Sequence, residues 1–208
     1  VMGAIPIPHN SEHQMTRALL VKEQGAIYDD YVVYVQDFGG KTVEVMRNFT
    51  TDEKYIVPSP DGRHLILNAF SWEVNTPIYL YDIVMKWRFE LPIDLPEDET
   101  PSAMCWLDNR YFLFVCQFDH GTIVQGGDVY YYDIETDKHG KIIETDDPGM
   151  LQINDFHRYD DFMLLTATQL EEEHLDPVDD KYFTVTYDQI YDLIVKESLL
   201  ILRSDEGM

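Results

Sequence analysis

Two short motifs contain residue types found in catalytic sites, but neither has the surroundings that the chemistry requires. His9, Glu12 and His13 match H-x-x-E-H, in which two histidines one helical turn apart hold zinc and the glutamate activates the bound water. The motif follows a Pro-rich stretch at residues 5–8 and no helical pattern precedes it, so the sequence favours a tail. Residues 39–42 (GGKT) end like a phosphate-binding loop, but the earlier glycine of that motif is missing and a hairpin turn is expected.

A third group has the acidic spacing of a calcium loop. Asp133, Glu135, Asp137 and Glu144 supply carboxylates, but Lys138 stands where the loop needs glycine, and the flanking segments are strand-like instead of helical. The stretch is therefore predicted to be a hairpin between strands. No cofactor is expected, and calcium is the only cation that these carboxylates weakly suggest.

The candidate ligand-binding residues lie in long connections between predicted strands. The loop at residues 117–127 is long for a connection within one structural unit, and loops of this length are often functional. Residues 171–180 are rich in carboxylates, which suit a hard cation or a cationic partner. Ordinary loop variation and a solvated acidic edge are the structural alternatives. The candidates are Trp72, Glu73, Asp119, His120, Glu171, Glu172 and His174.

Composition limits the classes of partner. The 208 residues include 15 Lys and Arg against 39 Asp and Glu, which gives a formal net charge of −24. Nucleic acid and anionic membrane surfaces are therefore unlikely ligands, because both need a basic footprint. A protein or small-molecule partner, including a cationic one, is compatible with this charge. No run of apolar residues approaches the length of a membrane span.

The two cysteines are predicted to be free thiols. If residues 108–109 form a two-residue hairpin turn, Cys105 lies opposite Phe112 and Cys116 opposite Pro101. This register places the cysteines farther apart than a disulfide permits. Unpaired cysteines favour the cytoplasm slightly, while a removed leader or anchor stays open.

The strongest signal is a repeated pattern of turn, strand, loop and strand. Small polar turn pairs precede apolar runs at residues 29–35, 61–67, 108–114 and 160–165, and the last three are followed by segments that end in Tyr-Asp. Asp-Gly and Asp-Asn suit tight turns, and the consecutive apolar residues after them favour strands covered on both faces. The aspartates of the Tyr-Asp segments are expected to accept hydrogen bonds from the next turn. About four units of four antiparallel strands are predicted, which is typical of propeller blades.

The motif SPDGRHL at residues 59–65, followed by IYLYD at residues 78–82, resembles the blade signature of TolB-type and related WD-repeat-like propellers, also present in prolyl oligopeptidases. The resemblance implies an all-β fold of four-stranded antiparallel blades and carries no catalytic residue. The blade array could be open or incomplete, with residues 15–22 available as a strand that closes against the last blade. A β-sandwich is the alternative fold.

The sequence thus predicts a flexible tail over residues 1–14 and a single propeller-like domain over residues 15–208. The expected function is a non-enzymatic binding or scaffold domain that presents propeller loops to a protein or small ligand. The alternative is a carboxylate-based hydrolase or a cation-binding accessory module of a larger secreted protein. A helix after Asp188 and a strand over residues 199–202 compete for the C-terminal segment, and the strand is favoured.

Overall fold

Antiparallel strands make up nearly all of the regular structure, as the repeated turn and strand pattern predicts. The computed structural model describes residues 1–24, 30–49, 52–69, 76–96, 99–118, 126–146, 150–171 and 177–205. Residue contacts divide these into two compact units, one with the described residues up to Ile93 and one with those from Asp94 onward. The single domain that the sequence predicts after residue 14 stays a prediction.

The first sheet contains four strands in the order β1-β2-β3-β4. Gly3–Pro6 (β1), which lies within the expected tail, pairs with Met15–Glu23 (β2), so this part of the N-terminal segment is a paired strand. Asp30–Asp37 (β3) and Thr42–Met46 (β4) complete the sheet. The expectation that residues 15–22 close against the last blade is wrong, because both neighbours of β2 belong to this first sheet.

The second sheet is built on the SPDGRHL turn and has the order β5-β6-β7-β8. The side chain of Asp61 accepts hydrogen bonds from the hydroxyl of Ser59 at 2.6 Å and the backbone N–H of Arg63 at 3.0 Å, while Gly62 adopts φ +69°. A residue with a Cβ is strained at this φ, so glycine is the residue type that the turn requires. The strands are Ile56–Pro58 (β5), His64–Asn68 (β6), Ile78–Asp82 (β7) and Trp87–Glu90 (β8).

The third sheet has eight strands and departs from a simple series of blades. Four of them pair in sequence order: Glu99–Trp106 (β9), Tyr111–Phe118 (β10), Gly127–Asp133 (β11) and Lys138–Thr145 (β12). A single residue pair, Gly127 opposite Ile153, joins them to a three-stranded group. That group is Leu151–Arg158 (β13), Phe162–Leu170 (β14) and Pro177–Thr186 (β15). The four-stranded pattern therefore holds for the first two sheets and only in part for the third, and no sheet closes on itself among the described residues.

A helix and a short strand follow β15 where a fourth strand of the last group is predicted. Thr186 begins the helix Tyr187–Lys196 (α1) with a capping box, in which its hydroxyl accepts from the N–H of Gln189 and the Gln189 side chain accepts from the N–H of Thr186. The last Tyr-Asp segment thus starts a helix instead of ending a strand. Leu200–Leu202 (β16) is the strand expected near residues 199–202, and it pairs in parallel with β12.

The core of the second unit lies between the eight-stranded sheet and α1. Ile190 and Ile194 of the helix are buried in the same cluster as Leu113 of β10 and Phe183 and Val185 of β15. Burial of these side chains holds the amphipathic helix against the sheet.

Both cysteines are free in the structure. Cys116 lies opposite Pro101 as predicted, but Cys105 lies opposite Leu113 and not Phe112. The register differs by one residue because the turn between β9 and β10 is longer than the two-residue turn assumed from sequence.

Candidate functional site

Of the seven residues that the sequence singles out for ligand binding, only Glu171 belongs to the described residues. It is exposed and directly follows β14. Trp72, Glu73, Asp119, His120, Glu172 and His174 lie outside the described residues. The set stays a prediction, and a site must be sought among the other side chains.

The H-x-x-E-H residues have a structural use. The backbone N–H of Met15 donates to Nδ1 of His13 at 3.0 Å, so the proton is on Nε2, which lies 2.7 Å from the carbonyl oxygen of Gly62 and donates to it. Glu12 forms an ion pair with Arg63 at 3.4 Å, and Asn10 donates to the Asp61 carbonyl at 2.9 Å. Residues 10–13 therefore pack on the SPDGRHL turn instead of lying on a metal-binding helix.

The turns of the second and third sheets share an Arg-Asp pair that sequence spacing did not reveal. Arg110 donates to both carboxylate oxygens of Asp133, at 2.9 and 2.6 Å, and Arg63 reaches Asp82 at 3.3 Å. Both aspartates also accept from the following turn, as predicted from their position after tyrosine. Arg110 and hydrogen bonding lower the pKa of Asp133 to about 2. These ionised pairs bind each strand end to the preceding turn.

The candidate site is a cleft in the second unit between the end of α1 and the β11–β12 hairpin. It consists of two adjoining cavities of about 210 and 500 Å³, and both are lined by Tyr131, Lys138 and Glu197. Tyr111 lines the smaller cavity and Gly140 the larger one. We call this feature the tyrosine cleft.

Aromatic packing holds the floor of the tyrosine cleft in place. The rings of Tyr111 and Tyr131 meet edge to face at 6.3 Å, and Tyr191 of α1 meets Tyr111 in the same way at 6.2 Å. Tyr191 also donates to a carboxylate oxygen of Asp108 at 2.6 Å. Gly140 stands opposite Tyr131 across the strands, where a Cβ would lie only 3.3 Å from the ring. The floor is thus preorganised before any ligand arrives.

Opposite charges stand on the rim of the tyrosine cleft. Lys138 and Glu197 are both exposed, and neither side chain has a hydrogen bond or ion pair within the part of the chain that the structure describes. Glu197 follows the last turn of α1, where the partial negative charge of the helix end favours a cation. The cleft therefore offers one position for an anionic group beside Lys138 and one for a cationic group beside Glu197.

Glu197 also has an unusual backbone conformation. Its φ is +48°, in the left-handed region that glycine occupies at many helix C-termini. A side chain in this conformation destabilises the fold slightly, by about 1 kcal/mol relative to glycine. An acidic residue at a strained position on the rim of a cavity is a reason to assign it a function.

The tyrosine hydroxyls of the cleft keep their protons at neutral pH. Burial, followed by the nearby Glu197 carboxylate, raises the pKa of Tyr131, and burial raises the pKa of Tyr111. Each hydroxyl can therefore donate a hydrogen bond to a ligand. Neither is activated as a nucleophile or base, since that would require a lowered pKa.

The described residues contain no metal-binding group of side chains, and their two cysteines are not activated. No group of three or more His, Cys, Asp or Glu side chains is placed to hold a metal ion in those parts of the chain. Burial raises the pKa of the Cys105 thiol to about 11 and raises that of Cys116 further, which opposes thiolate formation.

Sequence reasoning did not find the tyrosine cleft, because its parts are far apart in the chain. Tyr131 lies one residue before the repeated Tyr-Asp pair, while Glu197 lies beyond the last repeat. The one available signal was α1 itself, because an amphipathic helix in an all-β chain must cover part of a sheet and leaves a boundary where it ends.

Comparison with known families places the chain in a defined family. A family model described as a domain of unknown function (DUF4652) matches residues 73–183, which is more than half of the chain. The chain belongs to the DUF4652 family. The DUF4652 match includes Tyr111, Tyr131 and Lys138 but not Glu197. A search of curated proteins returned no significant match.

Solved structures show which fold DUF4652 shares. A conserved lipoprotein from Clostridium novyi has a TM-score of 0.57 at 22% identity, and the alignment covers 63% of this chain and 84% of that one. TolB from Acinetobacter baumannii has a TM-score of 0.52 at 16% identity, with coverage of 89% and 41%. An acylaminoacyl peptidase from Pyrococcus horikoshii has a TM-score of 0.52 at 11% identity, with coverage of 88% and 31%.

These likenesses show the fold alone, and the chain spans less than half of the TolB and peptidase chains. The all-β architecture of antiparallel sheets with TolB-like propeller relatives is confirmed. The number of blades and ring closure stay predictions. Among the described residues, no helix has the length and apolar character needed to cross a membrane.

Proposed function

We propose that this DUF4652 chain is a non-enzymatic protein-binding domain that holds a peptide segment of its partner in the tyrosine cleft. The observation that carries the proposal is Glu197, an exposed carboxylate in a strained backbone conformation on the rim of a cavity. Tyrosine supplies a large contact area and a hydroxyl donor with little loss of conformational entropy, which suits recognition of a peptide.

The charges on the rim specify the kind of segment. Lys138 would meet an acidic side chain or a chain-terminal carboxylate, and Glu197 would meet a basic side chain beside the helix end. A segment with both charges matches the cleft better than a purely cationic one, although the whole chain is strongly acidic.

The test is a peptide-display selection against the wild-type chain, with Lys138→Glu and Glu197→Lys as counter-selected variants. Synthetic peptides from the selection are then measured by fluorescence polarisation. Each variant should bind about tenfold more weakly, the expected size for loss of one well-placed charge contact. Peptides with exchanged charges should recover binding to the double variant. Lys41→Glu, an exposed charge change in the first unit, is the control.

Selected peptides that bind all variants equally would show that the tyrosine cleft is not the site. A selection that returns no peptide with paired opposite charges would contradict the proposed role of Lys138 and Glu197. Both variants change exposed side chains, so loss of folding should not obscure either result.

The alternative of a carboxylate-based hydrolase or cation-binding accessory module rests on acidic loops, and residues 172–176 of the most acidic one lie outside the described residues. Calcium titration of the whole chain by calorimetry tests the cation, and replacing Glu171, Glu172 and His174 together tests the loop. We expect no binding in the micromolar range typical of built calcium sites.

A further inference from the structure

The β7–β8 hairpin of the second sheet has two exposed apolar side chains at its tip. Met85 and Trp87 are 67% and 65% exposed, and Lys86 lies between them with φ +55°. The ring of Trp87 lies 5.7 Å from that of Phe89, which limits its orientations. We call residues 85–87 the hairpin tip.

The β11–β12 hairpin of the third sheet has the same backbone pattern, and we call it the matching hairpin. Comparing the two shows which features the turn needs in order to form. Asp82 and Asp133 begin the two turns and accept hydrogen bonds from them, and Trp87 and Lys138 stand directly opposite these aspartates. Lys86 and Asp137 occupy the same position with the same φ of +55°.

The side chains of the matching hairpin are polar. Where the hairpin tip has Met85 and Trp87, the β11–β12 hairpin has Thr136 and Lys138. The turn therefore forms without apolar residues, and folding does not explain the exposure of a methionine and a tryptophan. Apolar side chains that the fold does not need, held out on a rigid turn, are typical of interface anchors.

The charge at the tip indicates the chemistry of the partner. Lys86 has no ion pair within the described residues, in a chain with 39 acidic and 15 basic residues. A lysine between two apolar anchors fits an apolar pocket with carboxylates on its rim. An anionic bilayer is disfavoured as the occupant, because a net charge of −24 opposes its approach.

We infer that the hairpin tip is a second docking surface, which inserts Met85 and Trp87 into an apolar pocket with an acidic rim on a partner protein. This surface lies in the first unit and does not depend on the tyrosine cleft. Trp87 acts as the main anchor, since tryptophan and methionine are enriched at protein interfaces and tryptophan dominates their energetics.

The test begins with a photo-crosslinking amino acid at position 85, and at the exposed position 38 of the β3–β4 hairpin as the control, in cells that produce the protein. A protein captured only from position 85 is purified, and its affinity is measured by biolayer interferometry. Met85→Thr with Trp87→Lys, which copies the matching hairpin, should bind it about 30-fold more weakly, the loss expected for one strong anchor. Phe38→Thr, at another exposed aromatic hairpin residue, should bind like wild type.

Each other result would overturn the inference. Equal capture from positions 85 and 38, no capture, or unchanged affinity of the double variant would show that the hairpin tip is not an interface. A blue shift of Trp87 fluorescence on phosphatidylcholine vesicles, with or without phosphatidylglycerol, would assign the tip to a lipid surface. A dimer that Met85→Thr with Trp87→Lys dissociates would assign it to a second copy of the chain.

Discussion

Replacing Asp133 with asparagine should destabilise the chain more than the same change at the matching position, Asp82. Asp133 is only 5% exposed and accepts two hydrogen bonds from Arg110, whereas Asp82 is 14% exposed and meets Arg63 at 3.3 Å. Folding lowers the pKa of Asp133 from 3.8 to about 2. At 1.36 kcal/mol for each pKa unit, this shift corresponds to about 2 kcal/mol of stabilisation of the folded chain. We expect Asp82→Asn to lower the free energy of unfolding by about 1 kcal/mol, because the contact of Asp82 with its arginine is longer.

The assay is urea unfolding followed by far-UV circular dichroism. Double-mutant cycles are made for Arg110→Leu with Asp133→Asn and for Arg63→Leu with Asp82→Asn. Each cycle separates the interaction free energy of the Arg-Asp pair from the effects of the single substitutions. Glu135→Gln is the matched control, because Glu135 is exposed and contacts the same arginine at 3.2 Å. Glu135→Gln should lower the free energy of unfolding by less than about 0.5 kcal/mol.

The pH dependence provides a second check. Because folding lowers the pKa of Asp133, its stabilisation is fully present above the ordinary pKa of 3.8 and is lost as the pH falls towards about 2. The cost of Asp133→Asn should therefore be constant between neutral pH and about pH 5. The reasoning would be refuted by equal interaction free energies in the two cycles. It would also be refuted if Asp133→Asn lowered the free energy of unfolding by less than about 0.5 kcal/mol, or if that loss became smaller between neutral pH and about pH 5.

Three further experiments test other features of the structure. Gly62→Ala should destabilise the first unit by more than about 2 kcal/mol in urea unfolding, because its Cβ would overlap the backbone carbonyl oxygen of Pro8, while Gly40→Ala, with open space, should cost about 1 kcal/mol. Glu197→Gly should raise stability by about 0.5–1 kcal/mol in the same assay but weaken peptide binding, and an unchanged midpoint would contradict the strain argument. Cys105 and Cys116 should resist alkylation at about pH 8 until the chain unfolds, and rapid labelling of native protein would show that they are accessible.

The local elements of the fold were accessible from sequence because their causes are local. The SPDGRHL turn needs an aspartate that accepts from its own backbone and a glycine at positive φ, and both are visible in the chain. The apolar runs after each turn predicted β6, β10 and β14 for the same reason. The register of Cys105 was wrong by one residue because turn length depends on backbone geometry that residue types do not specify.

The candidate site was not accessible in the same way. The tyrosine cleft joins Tyr111, Tyr131 and Lys138 to Glu197, which lies beyond α1. No repeat or motif connects these positions, and six of the seven residues that sequence reasoning preferred lie outside the described residues. The hairpin tip became informative only when its backbone could be compared with that of the β11–β12 hairpin.

The sequence by itself determined an acidic, all-β chain of repeated antiparallel hairpins, because turn chemistry and runs of apolar residues act over a few neighbouring positions. Tertiary structure alone decided that β2 belongs to the first sheet, that β11 meets β13, and that β16 runs parallel to β12. The last two pairings join residues far apart in the chain, and all three depend on which surfaces can be buried together. The same long-range packing places α1 beside the β11–β12 hairpin, and with it the cleft on which the proposed function rests.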